Sequence, residues 1–211
     1  MLKSKVIFNI NRRHKPISLK LDYKLIIFFI LFVCGVIIGC FITKNSKGLL
    51  LQCLSIFARE YFLSLNTGTY FLNFFKIFSP FAFICICTYI IGLCGVGIPF
   101  LTLIPTSLGA VMGAIISQYY VDFGLLGIGC CALIYLPLFA TATATLLKGC
   151  CCSFDISGEI FYFIVSGKGN SNVFFKEYTI KHLFFLIPIA LSSGLTLLFY
   201  HLFSGLFSFI V

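Results

Sequence analysis

Three groups of residues in this chain have a type and a setting that could serve chemistry. His201 lies in a long apolar run, where an imidazole can relay a proton or simply form a hydrogen bond near an interface. Asp122 ends another apolar run and suits either a catalytic acid or a turn residue. Residues Cys150, Cys151 and Cys152 suggest an acylated patch, a metal-binding patch or an ordinary membrane boundary. Three adjacent helical residues point in different directions, and no His lies near these cysteines in the sequence.

Longer catalytic patterns are missing from the sequence. It contains no HExxH zinc motif, no GxSxG nucleophile motif and no phosphate-binding glycine loop. No Asp or Glu lies near the middle of a long apolar run, where a membrane enzyme would place its acid or base. We therefore predict no enzymatic activity, no catalytic or metal-binding residues and no cofactor.

The composition identifies the class of protein that must position these residues. Of 211 residues, 60% are hydrophobic and 10% are charged, and the mean hydropathy of +1.10 lies far above that of soluble domains. The net charge of +9 could suggest nucleic-acid binding. However, seven of the fifteen basic residues precede the first apolar run, as expected for charges that set membrane orientation. We predict a basic cytoplasmic segment, 1–24, a single membrane domain, 25–211, and no nucleic-acid partner.

The longest uncharged stretch runs from Ile77 to Val121 and organises the rest of the chain. As one helix, its 45 residues would be about 68 Å long, roughly twice the ~30 Å hydrocarbon core of a bilayer. The stretch is interrupted by Gly95 and by Gly97-Ile-Pro99, which disfavour a continuous helix. We expect two spans folded tightly on each other as a hairpin. On this interpretation Gly97 and Pro99 hold the turn closed at the cytoplasmic face and bind no ligand.

The same reasoning predicts an all-α, polytopic membrane protein with five spans, at about 25–43, 77–95, 98–120, 123–147 and 183–207. The first polar connection, 44–76, is predicted to form an amphipathic helix in the outer interface, with Arg59 and Glu60 facing water. The second, 148–181, contains both acids and lysines. We expect Pro105 and Pro137 to disturb the third and fourth spans.

Basic residues predict the orientation of these spans. With the amino terminus inside, eleven of the fifteen Lys and Arg residues face the cytoplasm and four face outwards. We therefore predict a multi-pass membrane protein with a cytoplasmic amino terminus and an extracytoplasmic carboxyl terminus, in contact with membrane lipids.

Two pairs of small residues suit close helix packing. Gly35 and Gly39 form a GxxxG motif in the first span, and Gly109 and Gly113 repeat that spacing in the third. Such spacing lets a partner helix approach closely. Glycines are also common in membrane helices without that role, so both interpretations stay open.

The ordered motifs of the chain resemble those of the stage II sporulation protein M family of endospore-forming bacteria. They are Gly35-Val-Ile-Ile-Gly39, Gly97-Ile-Pro99, Leu108-Gly-Ala-Val-Met-Gly113, the 124–127 segment with its two glycines, Leu136-Pro137 and Ser192-Ser193-Gly194. The resemblance also implies a carboxylate soon after the last motif, where this chain has Leu195, Thr196 and Leu197.

This resemblance implies a role in engulfment, when the mother-cell membrane migrates around the forespore. Family members act with stage II sporulation proteins D and P, which cut peptidoglycan outside the membrane. The chain is then expected to anchor or localise these hydrolases as a membrane scaffold for cell-wall remodelling.

A small multi-span transporter or permease subunit is the alternative from the residues alone. Prolines at positions 99, 105 and 137 could interrupt helices. Interrupted helices line the substrate sites of transporters. The sequence shows no obvious duplicated halves, and five spans do not divide into two equal repeats. Both functions remain open at the level of sequence.

Overall fold

The computed structural model describes residues 23–45, 68–166 and 174–203. Its elements, in chain order, are α1 Tyr23–Asn45, α2 Tyr70–Gly92, α3 Ile98–Cys130, a π-helical turn Cys131–Tyr135, α4 Leu136–Ser166 and α5 Phe174–Phe203. This part of the chain is all-helical, which confirms the all-α part of the predicted fold class.

Four helical segments among the described residues are long and apolar enough to cross a membrane: 23–45, 70–92, 98–165 and 175–203. Their outer surfaces are also apolar, as shown by Ile37, which is 58% exposed, and Leu125, which is 80% exposed. A soluble protein rarely exposes such large apolar patches. Lipid chains, in contrast, solvate such surfaces without penalty.

The segment 98–165 changes direction at Gly124. Its 68 residues would form a straight helix of about 102 Å, but Gly124 has φ 61° and ψ −140°, a conformation that strains residues with a side chain. Beyond this point the chain folds back on α3. The Tyr119 and Tyr135 rings lie 6.1 Å apart, and the Thr143 hydroxyl lies 3.7 Å from the Met112 sulfur.

The helices of the predicted hairpin do not fold tightly on each other, so that part of the prediction is wrong. The turn itself is present, because α2 ends at Gly92 and α3 begins at Ile98. Beyond the turn, α3 packs chiefly against α1, whereas α2 packs chiefly against α4 and α5. The reason is that glycines on α1 and α3 permit a closer contact than the bulky side chains between α2 and α3.

The polar connection predicted at 148–181 is largely helical among the described residues. Helix α4 continues to Ser166, and α5 begins at Phe174. The charges in this region are accommodated on exposed faces, where Asp155 forms an ion pair with Lys24 at the start of α1. Because a helix needs an apolar surface only on its packed face, scattered charges did not have to end it.

Other boundaries also differ from the predicted spans. Helix α1 agrees closely with the predicted span 25–43, whereas α2 begins at Tyr70, seven residues before the span predicted at 77–95. Its first turns include exposed Lys76 and buried Asn73, whose amide donates a hydrogen bond to the Gly68 carbonyl oxygen over 3.3 Å. Residues 46–67 of the predicted interfacial helix, with Arg59 and Glu60, lie outside the described residues.

The two prolines expected to disturb the third and fourth spans behave differently. The backbone around Pro105 stays helical, and the non-helical residue of α3 is Gly124. Pro137 instead lies two residues after the π-helical turn 131–135. A proline ring clashes with the carbonyl four residues earlier, which here belongs to Leu133. Widening the helix at that point accommodates the ring.

Candidate functional site

A glycine seam joins α1 to α3, and it brings together the four glycines that the sequence singled out. We define the seam as Gly35, Gly39, Gly109 and Gly113. A side-chain carbon added at Gly35 would lie 2.2 Å from the Thr106 carbonyl oxygen, and one at Gly39 would lie 2.1 Å from that of Ala110. The two backbones are therefore in direct contact.

The contact is reciprocal across the seam. A carbon added at Gly109 would lie 2.2 Å from the Phe32 carbonyl oxygen, and one at Gly113 would lie 2.2 Å from that of Val36. The Cys40 thiol reinforces the seam by approaching the Gly113 carbonyl oxygen at 3.5 Å. Since both faces lack side chains, van der Waals contact between the backbones can stabilise the pair.

The Gly97-Ile-Pro99 motif forms the turn into α3. The Gly97 N–H donates to the Cys94 carbonyl oxygen over 2.9 Å, and Pro99 lies in the first turn of α3, where its missing N–H costs no helical hydrogen bond. Gly97 has an ordinary φ of −71°. Glycine is required at position 97 for steric reasons, since an added carbon would lie 2.1 Å from the Ile91 carbonyl oxygen.

The Ser192-Ser193-Gly194 motif lies within α5. Both serine hydroxyls are buried and donate to the Ile189 carbonyl oxygen, over 3.0 Å from Ser192 and 2.8 Å from Ser193. They bind their own helix and do not reach a partner through these bonds. Next to them, Thr196 is buried at a position near which the resemblance implied a carboxylate.

A buried polar network joins α2, α4 and α5, and the sequence reasoning missed it. The Ser153 hydroxyl lies 3.0 Å from the Thr88 carbonyl oxygen, 2.9 Å from the Tyr178 hydroxyl and 3.3 Å from Nε2 of His182. The Tyr178 hydroxyl also donates to the Tyr89 carbonyl oxygen over 2.9 Å. These contacts tie three helices together at one level.

The network also contains a serine and a histidine within reach of each other, which is the arrangement of an activated nucleophile. The His182 Nδ1 lies 3.2 Å from the Tyr178 carbonyl oxygen, an acceptor, so Nδ1 carries a proton in that bond. In the neutral ring, Nε2 is then an acceptor, but the Ser153 hydroxyl donates its one proton to the Thr88 carbonyl oxygen. However, Ser153 is 0% exposed and His182 is 5% exposed. Both side chains are enclosed between α2, α4 and α5, and their contacts join these helices.

An apolar cavity of about 260 Å³ lies between α2, α3 and α4. It is the gap that is left where α2 and α3 diverge. Its walls are mainly hydrocarbon and aromatic; they include Phe81, Leu108, Met112, Ile115, Tyr119 and Phe139. The cavity is therefore suited to an apolar guest.

The remaining candidates have simple surroundings. The His201 ring lies 4.7 Å from that of Tyr70 and packs as an aromatic group. Asp122 accepts from the Gln118 amide, at 3.0 Å to each carboxylate oxygen. Cys150 is buried, whereas Cys151 and Cys152 are partly exposed. Among the described residues, no group of three or more His, Cys, Asp or Glu side chains could hold a metal ion.

Comparison of the chain with protein-family models, with curated proteins and with solved structures found no match in any of the three. The function of the chain must therefore be inferred from its own residues and their geometry.

Proposed function

We propose that this chain is a five-span membrane scaffold of the sporulation engulfment complex, which anchors peptidoglycan hydrolases to the membrane. The observation that carries the proposal is the resemblance of its ordered motifs to the stage II sporulation protein M family. On this proposal the partners are stage II sporulation proteins D and P.

The positions of these motifs support a scaffold role. Gly35 and Gly39 lie on the contact between α1 and α3, Gly97 lies in the turn into α3, and Gly124 lies at the reversal of the chain. Pro137 follows the π-helical turn. All five residues shape the backbone, which is compatible with a chain that holds a surface in place.

The reversal at Gly124 supports the proposed five-span arrangement. A segment of 68 residues that folds back at Gly124 supplies two crossings of a ~30 Å core. With the three other apolar helices, this gives five. The amino terminus then lies inside, because eleven of the fifteen basic residues, the seven up to Lys24 and the four from Lys148 to Lys181, fall on that side.

In this orientation the largest surface facing the cell wall is the connection between α1 and α2. The chain would contact a hydrolase that cuts peptidoglycan outside the membrane either at this connection or through the hydrolase's own membrane anchor. Arg59 and Glu60 are the adjacent opposite charges of this connection, and charged groups at an interface set orientation and partner choice more than raw affinity. We propose that the interfacial helix presents this pair to the hydrolases.

The double substitution Arg59→Glu and Glu60→Arg tests this proposal. We expect fluorescently tagged hydrolases to lose their enrichment around the forespore by at least half, because the charge pattern they meet is inverted. Membrane insertion should be unchanged, since neither residue belongs to a predicted span.

The chain offers a matched control in Lys176 and Glu177, another adjacent basic–acidic pair, placed on the cytoplasmic side by this topology. Reversing that pair should leave hydrolase localisation intact. Unchanged localisation after reversal of Arg59 and Glu60 would refute the proposed docking segment.

A transporter or permease subunit is the second candidate, and the π-helical turn before Pro137 favours it. Such turns occur often at functional sites, and interrupted membrane helices line transport sites. Flux of a solute across proteoliposomes that contain the purified chain would support this candidate.

A further inference from the structure

We infer that the cavity between α2, α3 and α4 binds one acyl chain of a membrane glycerolipid, whose ester carbonyl accepts a hydrogen bond from Tyr119. The inference relies on the spanning arrangement proposed above and is independent of the role in sporulation.

The shape of the cavity selects a single hydrocarbon chain. Its lining on α3 extends from Ser107 to Tyr119, which is about 18 Å at ~1.5 Å per residue. One leaflet of the hydrocarbon core is about 15 Å thick. The cavity volume of about 260 Å³ is far below the roughly 1,400 Å³ that a helix of ~10 Å diameter fills over ~18 Å. A second helix therefore does not fit.

The cavity opens to the bilayer along its side. Pro80, Ser107 and Val111 line it and are exposed, and Val111 is 56% exposed. A lipid chain can thus enter laterally from the surrounding leaflet. Water has few partners on these apolar walls, so it is a poor occupant.

One polar atom in the cavity wall selects an amphiphile over a plain hydrocarbon. Tyr119 is 3% exposed, and its hydroxyl has no hydrogen-bond partner of ordinary distance and angle among the described residues, although the neighbouring Tyr135 side chain is a partial hydrogen-bond partner. Leaving a buried hydroxyl unsatisfied costs free energy. Tyr119 lies five residues before the reversal at Gly124, at the end of the cavity nearest the membrane surface. An ester carbonyl at this depth supplies the missing acceptor.

The test uses the full chain in vesicles of phosphatidylglycerol and phosphatidylethanolamine, with a small fraction of phosphatidylglycerol that carries a diazirine within one acyl chain. After illumination, peptide mapping should find the label on the α2 and α3 residues that line the cavity. The substitution Val111→Phe fills the cavity mouth and should reduce this labelling at least fivefold. Val121→Phe is the matched control, because Val121 is on the same helix, is also 56% exposed and does not line the cavity.

A second comparison tests the hydroxyl. Wild-type protein should retain the ester-linked probe about two- to tenfold better than its ether-linked analogue, the range expected for one hydrogen bond. Tyr119→Phe should abolish that preference while the acyl chain is still labelled at the same residues. This variant removes one oxygen atom and keeps the ring, so it preserves packing.

Equal labelling of wild type and Val111→Phe would show only the surrounding lipid and would overturn the cavity assignment. Equal retention of ester and ether lipids by the wild type would overturn the role of Tyr119. Both results can be obtained whether or not the chain recruits hydrolases, so they are separate from the test of the proposed function.

Discussion

Replacing Gly39 by alanine is expected to lower the apparent unfolding temperature of the detergent-purified protein by about 6–12 °C. The new carbon would lie 2.1 Å from the Ala110 carbonyl oxygen, so α1 and α3 must separate. Overpacking of this kind costs up to ~3 kcal/mol, and each kcal/mol shifts the midpoint by roughly 2–4 °C in a chain of this size. Thermal unfolding followed by circular dichroism measures the effect.

Gly194→Ala provides the control for this change. A carbon added at Gly194 has no other atom within 4 Å, so the substitution meets open space. Alanine favours a helix over glycine by about 1 kcal/mol, and the unfolding temperature should therefore stay constant or rise. If both variants lost stability equally, the glycine seam would have no special packing role.

Gly113→Ala should resemble Gly39→Ala, because it opposes Val36 across the same contact. The double variant should lose less than the sum of the two single losses. Once one added carbon has separated the helices, the second meets less resistance, and neighbouring sites are coupled in this way.

Replacing Gly95 and Gly97 together by leucine is expected to prevent accumulation of folded protein. At Gly97, an added carbon would lie 2.1 Å from the Ile91 carbonyl oxygen and 2.9 Å from that of Cys94. At Gly95, it would lie 3.2 Å from the Ile164 side chain, and leucine would extend further into α4. The turn cannot adjust to both without breaking its hydrogen bonds. The yield of monodisperse protein in gel filtration reports the outcome.

Pro99→Ala is the matched change in the same turn and should be mild. Pro99 lies in the first turn of α3, where no helical hydrogen bond depends on it, and the bend is set by the preceding residues. A double-leucine variant that accumulates as well as Pro99→Ala would contradict the structural role of the turn.

The sequence predicted the glycine seam in part, because spacing of four residues places two glycines on one helix face. It did not predict the pairing of α1 with α3. That pairing depends on which of several apolar faces fit most closely, and hydropathy carries no information on fit. The expectation of a tight hairpin between α2 and α3 was wrong for the same reason.

The turn at Gly97 was predicted from its glycines and proline, with backbone freedom and close packing as the two reasons for glycine there. Gly97 has a helical φ, so only the need for space is seen at this position. At Gly124 the opposite holds, since its positive φ is the feature that permits the reversal.

The polar network could not be predicted from local patterns. Ser153 bonds to Thr88, which lies 65 residues earlier, and to Tyr178, 25 residues later. Two of its members, Ser153 and Tyr178, lie in the segment 148–181, which was predicted to be a polar connection. A signal was present in the spacing of Tyr178 and His182, which places both on one helix face.

The central claim, that the chain is a scaffold for peptidoglycan hydrolases, is tested most directly by affinity purification of the tagged full-length protein from sporulating cells in mild detergent. Mass spectrometry of the bound proteins should find stage II sporulation proteins D and P enriched over a control membrane protein of similar abundance. Their absence from the bound fraction, together with solute flux in proteoliposomes of the purified chain, would contradict the scaffold role and favour the transporter.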